Sequence, residues 1–276
     1  MLSLVASDAN PKKTKIVFQF KKISLIGMAR TAKMAKKRRK PTHAQVVAVA
    51  VSLPVGVLLV AGHSLPLAVN VALVHTALSG AVVALCSMKS LCKRTTSLFG
   101  KNAKGVLGLP HQLAFLPFQC AIRAKLLYRR RFGEEPLWDH VKDGFYIGGW
   151  PNEQQSLPTP DAAVVDCTCE LPRRHRNPYL LCATWDTQSP TVEAYERGVA
   201  FAAEQRREGE RPLLVHCAHG HGRSAAMLCA ILISQGKAAT VDEAERLIKS
   251  SRPRVNLNKN QREGLEQWFA QKYKSL

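Results

Sequence analysis

Acidic residues are almost missing from the first half of this 276-residue chain: Asp8 is the one acid before Glu134, against 22 Lys and Arg. Residues 134–276 balance 18 basic against 19 acidic side chains, so the net charge of +20 is carried by the first half. That asymmetry excludes a uniformly basic nucleic-acid binder and a chain built as a single globular unit. Tryptophan is missing from the same half. Trp138, Trp150, Trp185 and Trp268 all lie beyond it, where the large aromatic anchors of a packed core belong. The eight cysteines lack the dense spacing of a small disulfide-stapled secreted domain, and no second Cys or His pair stands at zinc-finger distance from Cys167 and Cys169. Reduced thiols in an intracellular compartment are the expectation, with no metal and no cofactor called for.

Charge of either sign is absent from Gln45 to Gly62 and from Leu65 to Cys86, stretches of 18 and 22 residues. A helix of about 20 residues crosses the ~30 Å hydrocarbon layer. His63-Ser64, followed by Leu65-Pro66, supplies a tight turn between the stretches. Residues 1–40 carry twelve Lys or Arg and end in the run Lys36-Lys37-Arg38-Arg39-Lys40, and the basic flank returns as Lys89, Lys93, Arg94, Lys101 and Lys104. A single span would put basic flanks on opposite faces of a membrane, against the positive-inside tendency, whereas a hairpin of two spans puts both in the cytosol. The reading is a multi-pass membrane anchor through residues 45–86. Pro54, Asn70 and His75 leave open a pair of buried core helices, and the scarcity of acids leaves open an organellar targeting peptide. The run 36–40 is also compatible with a nuclear signal, but its place beside an apolar stretch favours a membrane flank. Residues 105–122, interrupted by Pro110 and Pro117, read as an interfacial segment. Arg129-Arg130-Arg131 closes the appendage and Gly133–Pro136 reads as a linker. The plan is a basic segment (1–42), a two-span hairpin (43–88), a connector (89–133) and a domain (134–276).

From Trp138 onward, β-rich runs followed by helical ones predict an α/β domain, a central, mostly parallel sheet flanked by helices. The strands are placed at Phe145–Ile147, Ala163–Asp166, Leu180–Ala183 and Leu213–His216. One helix follows Ser189-Pro190, with Ser189 as N-cap. A second, Ser224 to Ser234, is apolar nearly all round and should be buried, with Gly236 as its C-terminal stop. A third starts at Thr240, where Glu243 completes a capping box, and the last runs from Gln261 to Tyr273.

The strand at 213–216 leads into Cys217-Ala218-His219-Gly220-His221-Gly222-Arg223-Ser224 and then into the buried helix. Strand, glycine-bearing loop and helix N-terminus in that order suit an anion: backbone N–H groups of residues 218–222 converge on it and the helix adds its positive end. Arg223 can grip two phosphate oxygens at once. Cys217 then sits in a positive field that favours its thiolate, a nucleophile for in-line attack on a phosphoryl group. The leaving oxygen needs a proton, for which Asp186 is the candidate general acid, and the same carboxylate can deprotonate water in a second step. Asp161, Asp166 and Glu170 compete for that role; Asp166 reads as structural from its place on a strand, and Glu170 as a partner for an arginine. Ser224 would bond the thiolate, and His216 would orient the loop from behind. His219 and His221 read either as partial cations favouring a highly anionic substrate or as space-fillers beside the loop.

HCAHGHGRS resembles the HCxxGxxR(S/T) signature of the cysteine-dependent dual-specificity and tyrosine phosphatases. FYIGGWP (145–151), VVDCTCELP (164–172), Asp186 and RPRVNLNKNQ (252–261) occupy corresponding places, and the resemblance covers roughly 138–270. It implies that Cys217, Arg223, Ser224 and Asp186 are catalytic. The tail spells Leu257-Asn258-Lys259-Asn260-Gln261 instead of the common Pro-Asn-x-x-Phe, and Trp185-Asp186-Thr187 is not a WPD loop, which points to the smaller dual-specificity type. The expected activity is phosphomonoester hydrolysis through a cysteinyl-phosphate, on phosphotyrosine and phosphoserine or phosphothreonine in proteins. Phosphoinositides or RNA ends are the alternative substrates, and a silent phospho-binding scaffold the alternative class. No nucleic-acid partner is otherwise expected.

Overall fold

The computed structural model describes residues 43–207 and 209–273, with side chains from Gln45 onward. The described residues fall in one compact unit. The basic segment expected over 1–42, with its run 36–40, lies outside the described residues.

Helices α1 (His43–Ala61) and α2 (Leu67–Cys86) form a helical hairpin. The turn between them contains a short 3-10 segment, Gly62–Ser64, which Asn70 holds closed through Nδ2 to Gly62 O at 2.7 Å and Leu65 O at 3.3 Å. Asn70 is therefore a turn clamp. Both helices are long and apolar enough to cross a membrane, and only 11% and 22% of their apolar windows are buried within the protein. Leu53, Leu59, Val60 and Leu67 are exposed. Two buried core helices would not leave such side chains uncovered.

The connector is folded. Pro110 and Pro117 are the second residues of α3 (Leu109–Ala114) and α4 (Leu116–Phe132), in the first turn, where a backbone N–H has no partner within the helix and its loss costs nothing. The interfacial reading of 105–122 needs correcting in part, because Leu107 and Phe115 are buried among Phe99, Cys92, Cys169 and Trp185. Phe99 stacks on Phe118 with ring centroids 5.4 Å apart and meets Phe115 edge-on at 5.2 Å.

Five strands follow: β1 (Trp138–Lys142), β2 (Phe145–Gly148), β3 (Ala163–Thr168), β4 (Tyr179–Thr184) and β5 (Leu213–His216). They order β1-β2-β5-β3-β4, with β1 antiparallel to β2 and every other pair parallel. The predicted central, mostly parallel sheet is therefore present. Strand β1 was not foreseen, since Trp138-Asp139-His140-Val141-Lys142 lies on an edge and its polar residues hide the alternation.

Helices α5 (Val192–Arg207), α6 (Arg223–Ser234), α7 (Val241–Ser251) and α8 (Lys259–Tyr273) complete the domain. Residues 223–233 of α6 are all buried, as its all-round apolar sequence predicts. At its end Gly236 adopts φ 66°, and Lys237 N donates to Leu232 O at 2.9 Å, a Schellman closure that needs the left-handed conformation. Thr240 caps α7, accepting from Glu243 N at 3.2 Å. The N-cap of α5 is Thr191 rather than Ser189: Ala194 N donates to Thr191 Oγ1 at 3.2 Å, while the Ser189 hydroxyl lies 3.0 Å from that of Tyr195. Two hydroxyl residues flank Pro190, and the nearer one reaches the helix.

Candidate active site

Three parallel strands deliver the site at one edge of the sheet. The carboxyl end of β5 runs into residues 217–222, that of β3 into Cys169 and Glu170, and that of β4 into Trp185 and Asp186. Ligands of open α/β sheets sit at this end, because the strands stop there and their loops diverge.

Cys217 is buried at the floor of the loop. Its Sγ accepts from Gly220 N at 3.2 Å and from Ser224 Oγ at 3.3 Å. Gly220 adopts φ 79°, and a Cβ there would stand 2.6 Å from the Gly148 carbonyl carbon, so only glycine brings this N–H onto the sulfur. Burial alone would push the Cys217 thiol up; the Arg223 guanidinium and the Ser224 hydroxyl outweigh it and hold the pKa below the ordinary thiol value. The contrast with its neighbours is informative. Burial pushes Cys182 up to about 12 and raises Cys167, Cys169 and Cys229 as well. Of these five buried cysteines, the one that Ser224 bonds is lowered and the other four are raised.

Arg223 is fully buried, and both of its Nη atoms are spoken for. Nη1 and Nη2 donate to Oε2 and Oε1 of Glu170 at 3.0 and 2.9 Å, and Nη1 also donates to Thr184 O at 2.9 Å. Its Nε makes no hydrogen bond and lies 3.4 Å from Asp186 Oδ1. Glu170 is therefore the arginine partner, and Asp186 is the carboxylate beside the loop, 41% exposed where Glu170 is 4% exposed. An acid that meets a leaving group must be reachable, and of these two only Asp186 is.

The back of the loop rests on a second buried charge cluster. His216 Nδ1 lies 3.3 Å from Cys217 O and its Nε2 3.7 Å from Asp166 Oδ1. Burial lowers the pKa of His216, with Asp166 acting against it. Asp166 in turn accepts from Lys101 Nζ at 2.6 Å, Thr168 N at 2.7 Å and the Tyr179 hydroxyl at 2.9 Å. Lys101 also donates to Thr168 O at 2.8 Å and is buried. This corrects its sequence reading as one of the basic membrane flank. The carboxylate that would hold it in the sheet lies 65 residues away, beyond any local pattern.

The loop's outer rim is held by groups that only the fold brings together. Arg252 donates from Nε to Gly220 O and from Nη2 to His219 O, both at 3.1 Å. His221 Nε2 pairs with Glu135 at 2.7 Å, so part of the expected linker supports the loop. The surroundings of His219 and His221 disfavour the reading of these two residues as partial cations. Burial, followed by the positive charges of Arg129 and Lys125, takes His219 down to about 4, and burial lowers His221 despite Glu135. Positive charge beside the loop comes from α4 and from the 252–254 segment: Arg129, Arg130, Arg252 and Arg254 line a cleft with Ala218 and His219.

Residues 161–271 match the dual specificity phosphatase catalytic-domain family. No curated protein matches the chain. Among solved structures, PTPMT1 in complex with PI(5)P is similar at 20% identity over 49% of this chain and 96% of its own, with a TM-score of 0.41. A mouse putative dual specificity phosphatase shares 22% identity over 50% of this chain and 92% of its own, TM-score 0.43, and human DUSP28 shares 21% over 49% and 93%, TM-score 0.43. Over residues 161–271 the chain is thus dual-specificity-phosphatase-like, and two long apolar helices precede that region.

Proposed function

We propose that this protein is a cysteine-dependent phosphomonoester hydrolase acting on phosphotyrosine and phosphoserine or phosphothreonine in proteins. The observation that carries this is the environment of Cys217: two donors on its sulfur, and Arg223 fixed by Glu170 with Nε beside Asp186. In the first step Cys217 Sγ attacks phosphorus, forming S–P as the P–O bond to the leaving group breaks. Asp186 passes its proton to that oxygen. In the second step Asp186 takes a proton from water, whose oxygen attacks phosphorus, and the thiolate leaves, stabilised by Ser224 and Gly220. Arg223 and the amides of residues 218–222 carry the charge of the equatorial oxygens. The incoming phosphoryl group takes the place of Asp186 beside Arg223 Nε.

A phosphoinositide substrate is the second reading, favoured by the basic wall of α4 beside the loop. The exposed apolar faces of α1 and α2 fit insertion in a membrane as a hairpin, with residues 43–88 as anchor, 134–276 as catalytic domain and the site at the cytosolic surface.

The test is hydrolysis by the full chain in detergent, with Cys217→Ser and Asp186→Ala as controls. The panel is phosphotyrosine and phosphothreonine peptides, short-chain phosphoinositides and a 5′-triphosphorylated RNA. Turnover of the peptides, abolished by Cys217→Ser, is expected. Preference for the lipid selects the second reading, and bound phosphate with no turnover selects a scaffold.

A further inference from the structure

The segment carrying Asp186 is held from outside the family-matched region. Trp185 Nε1 donates to Thr95 Oγ1 at 3.1 Å, and that hydroxyl is anchored 2.6 Å from Cys86 O, the last residue of α2. Gln188 Nε2 donates to Ser87 O at 3.0 Å. The indole of Trp185 also packs on Phe99, with centroids 5.4 Å apart. The residue before Asp186 and the residue two after it are therefore both tied to the carboxyl end of the second apolar helix.

Between these ties the backbone is strained. Thr187 has φ 63°, an outlier for a β-branched residue that persists only where its surroundings enforce it. On the other side, Asn258 Nδ2 donates to Thr187 O at 2.9 Å. A loop in an unfavourable conformation, clasped from two sides, loses its position when one clasp is removed.

We propose that Thr95, with Ser87 and Phe99, is a positioning residue for the general-acid loop, so that the end of the apolar hairpin sets how well Asp186 reaches the leaving group. This rests on the function proposed above, in which Asp186 protonates that group. The consequence is selective. Phenyl phosphate releases an oxygen with a pKa of about 10, like tyrosine, and needs the proton; 4-nitrophenyl phosphate releases a much weaker base and needs it little. A loss of folded protein would reduce both reactions equally.

The experiment compares kcat/KM on the two esters, which reports only steps up to departure of the leaving group and so excludes the hydrolysis step the two esters share. It uses the full chain in detergent, in wild type, Thr95→Val, Thr95→Ser and Gln188→Leu, with Asp186→Asn as control. Thr95→Val is expected to lower kcat/KM on phenyl phosphate about 10-fold, part of the roughly 10²–10⁴ that positioned proton transfer supplies, and on 4-nitrophenyl phosphate by less than about 2-fold. Thr95→Ser keeps the hydroxyl and restores the rate, while Gln188→Leu removes an independent clasp and acts in the same direction as Thr95→Val. Equal losses on both esters, or none in Thr95→Val while Asp186→Asn is selective, overturn the proposal alone. An Asp186→Asn protein with no leaving-group selectivity overturns the acid assignment and this proposal with it.

Discussion

Arg223 and Glu170 face each other through two parallel hydrogen bonds of 3.0 and 2.9 Å, with side chains 0% and 4% exposed. The pair fixes the plane of the guanidinium and leaves its Nε edge for an anion. Removing the carboxylate strands a buried cation, which costs about 3–5 kcal/mol. Glu170→Ala is expected to lower stability by that order in denaturant melts and to weaken competitive inhibition by inorganic phosphate. An unchanged inhibition constant would separate Glu170 from the anion site.

Lys101 and Asp166 form the second buried pair, and Lys101→Met should likewise cost about 3–5 kcal/mol at neutral pH. The pH dependence has a defined sign. Burial would raise Asp166, but Lys101, His216 and Thr168 hold it well below the usual carboxylate range. Its contribution is therefore present above the unfolded value of about 3.9 and fades as pH falls below it. In Lys101→Met the folded carboxyl gains a proton more readily than the unfolded one, so the deficit should shrink on acidification. Urea melts at neutral and mildly acid pH check this; a deficit independent of pH contradicts it.

Cys217 should react with iodoacetamide as a thiolate at pH values where an ordinary thiol of pKa about 8.5 is protonated. Its rate falls as pH drops through the depressed pKa. Ser224→Ala removes one of the groups that hold the thiol down, so its alkylation midpoint should move to higher pH. Mass spectrometry should find Cys167, Cys169, Cys182 and Cys229 unmodified in the folded protein, since burial raises each.

His219, with its pKa lowered to about 4, should stay neutral through the physiological range. His219→Asn is expected to leave the shape of the pH–rate profile unchanged, with kcat/KM within about 3-fold, the spread of ordinary context effects away from charge changes. An inflection near pH ~6.5 that disappears in the variant would restore the cationic reading.

By itself the sequence determined the parts whose information is local. A strand, a glycine-bearing loop and an apolar helix stand in succession at 213–234, so the Cys217–Ser224 cradle is written in order, and the cap at Thr240 and the stop at Gly236 are equally local. The two apolar stretches are legible because the hydrophobic effect and helix length act along the chain. Tertiary structure alone decided what depends on pairing across the fold. Lys101 lies among basic residues that suit a membrane flank, and only the sheet brings Asp166 to it. Thr95 has no sequence mark at all, because the indole it receives is 90 residues away. The edge strand β1 exists because β2 offers it a ladder, not because of its own pattern. The lowering of the His219 pKa comes from burial and from Arg129 and Lys125 of α4. Burial and charge pairing are properties of neighbours in space, and a linear pattern records them only when those neighbours are also close in sequence.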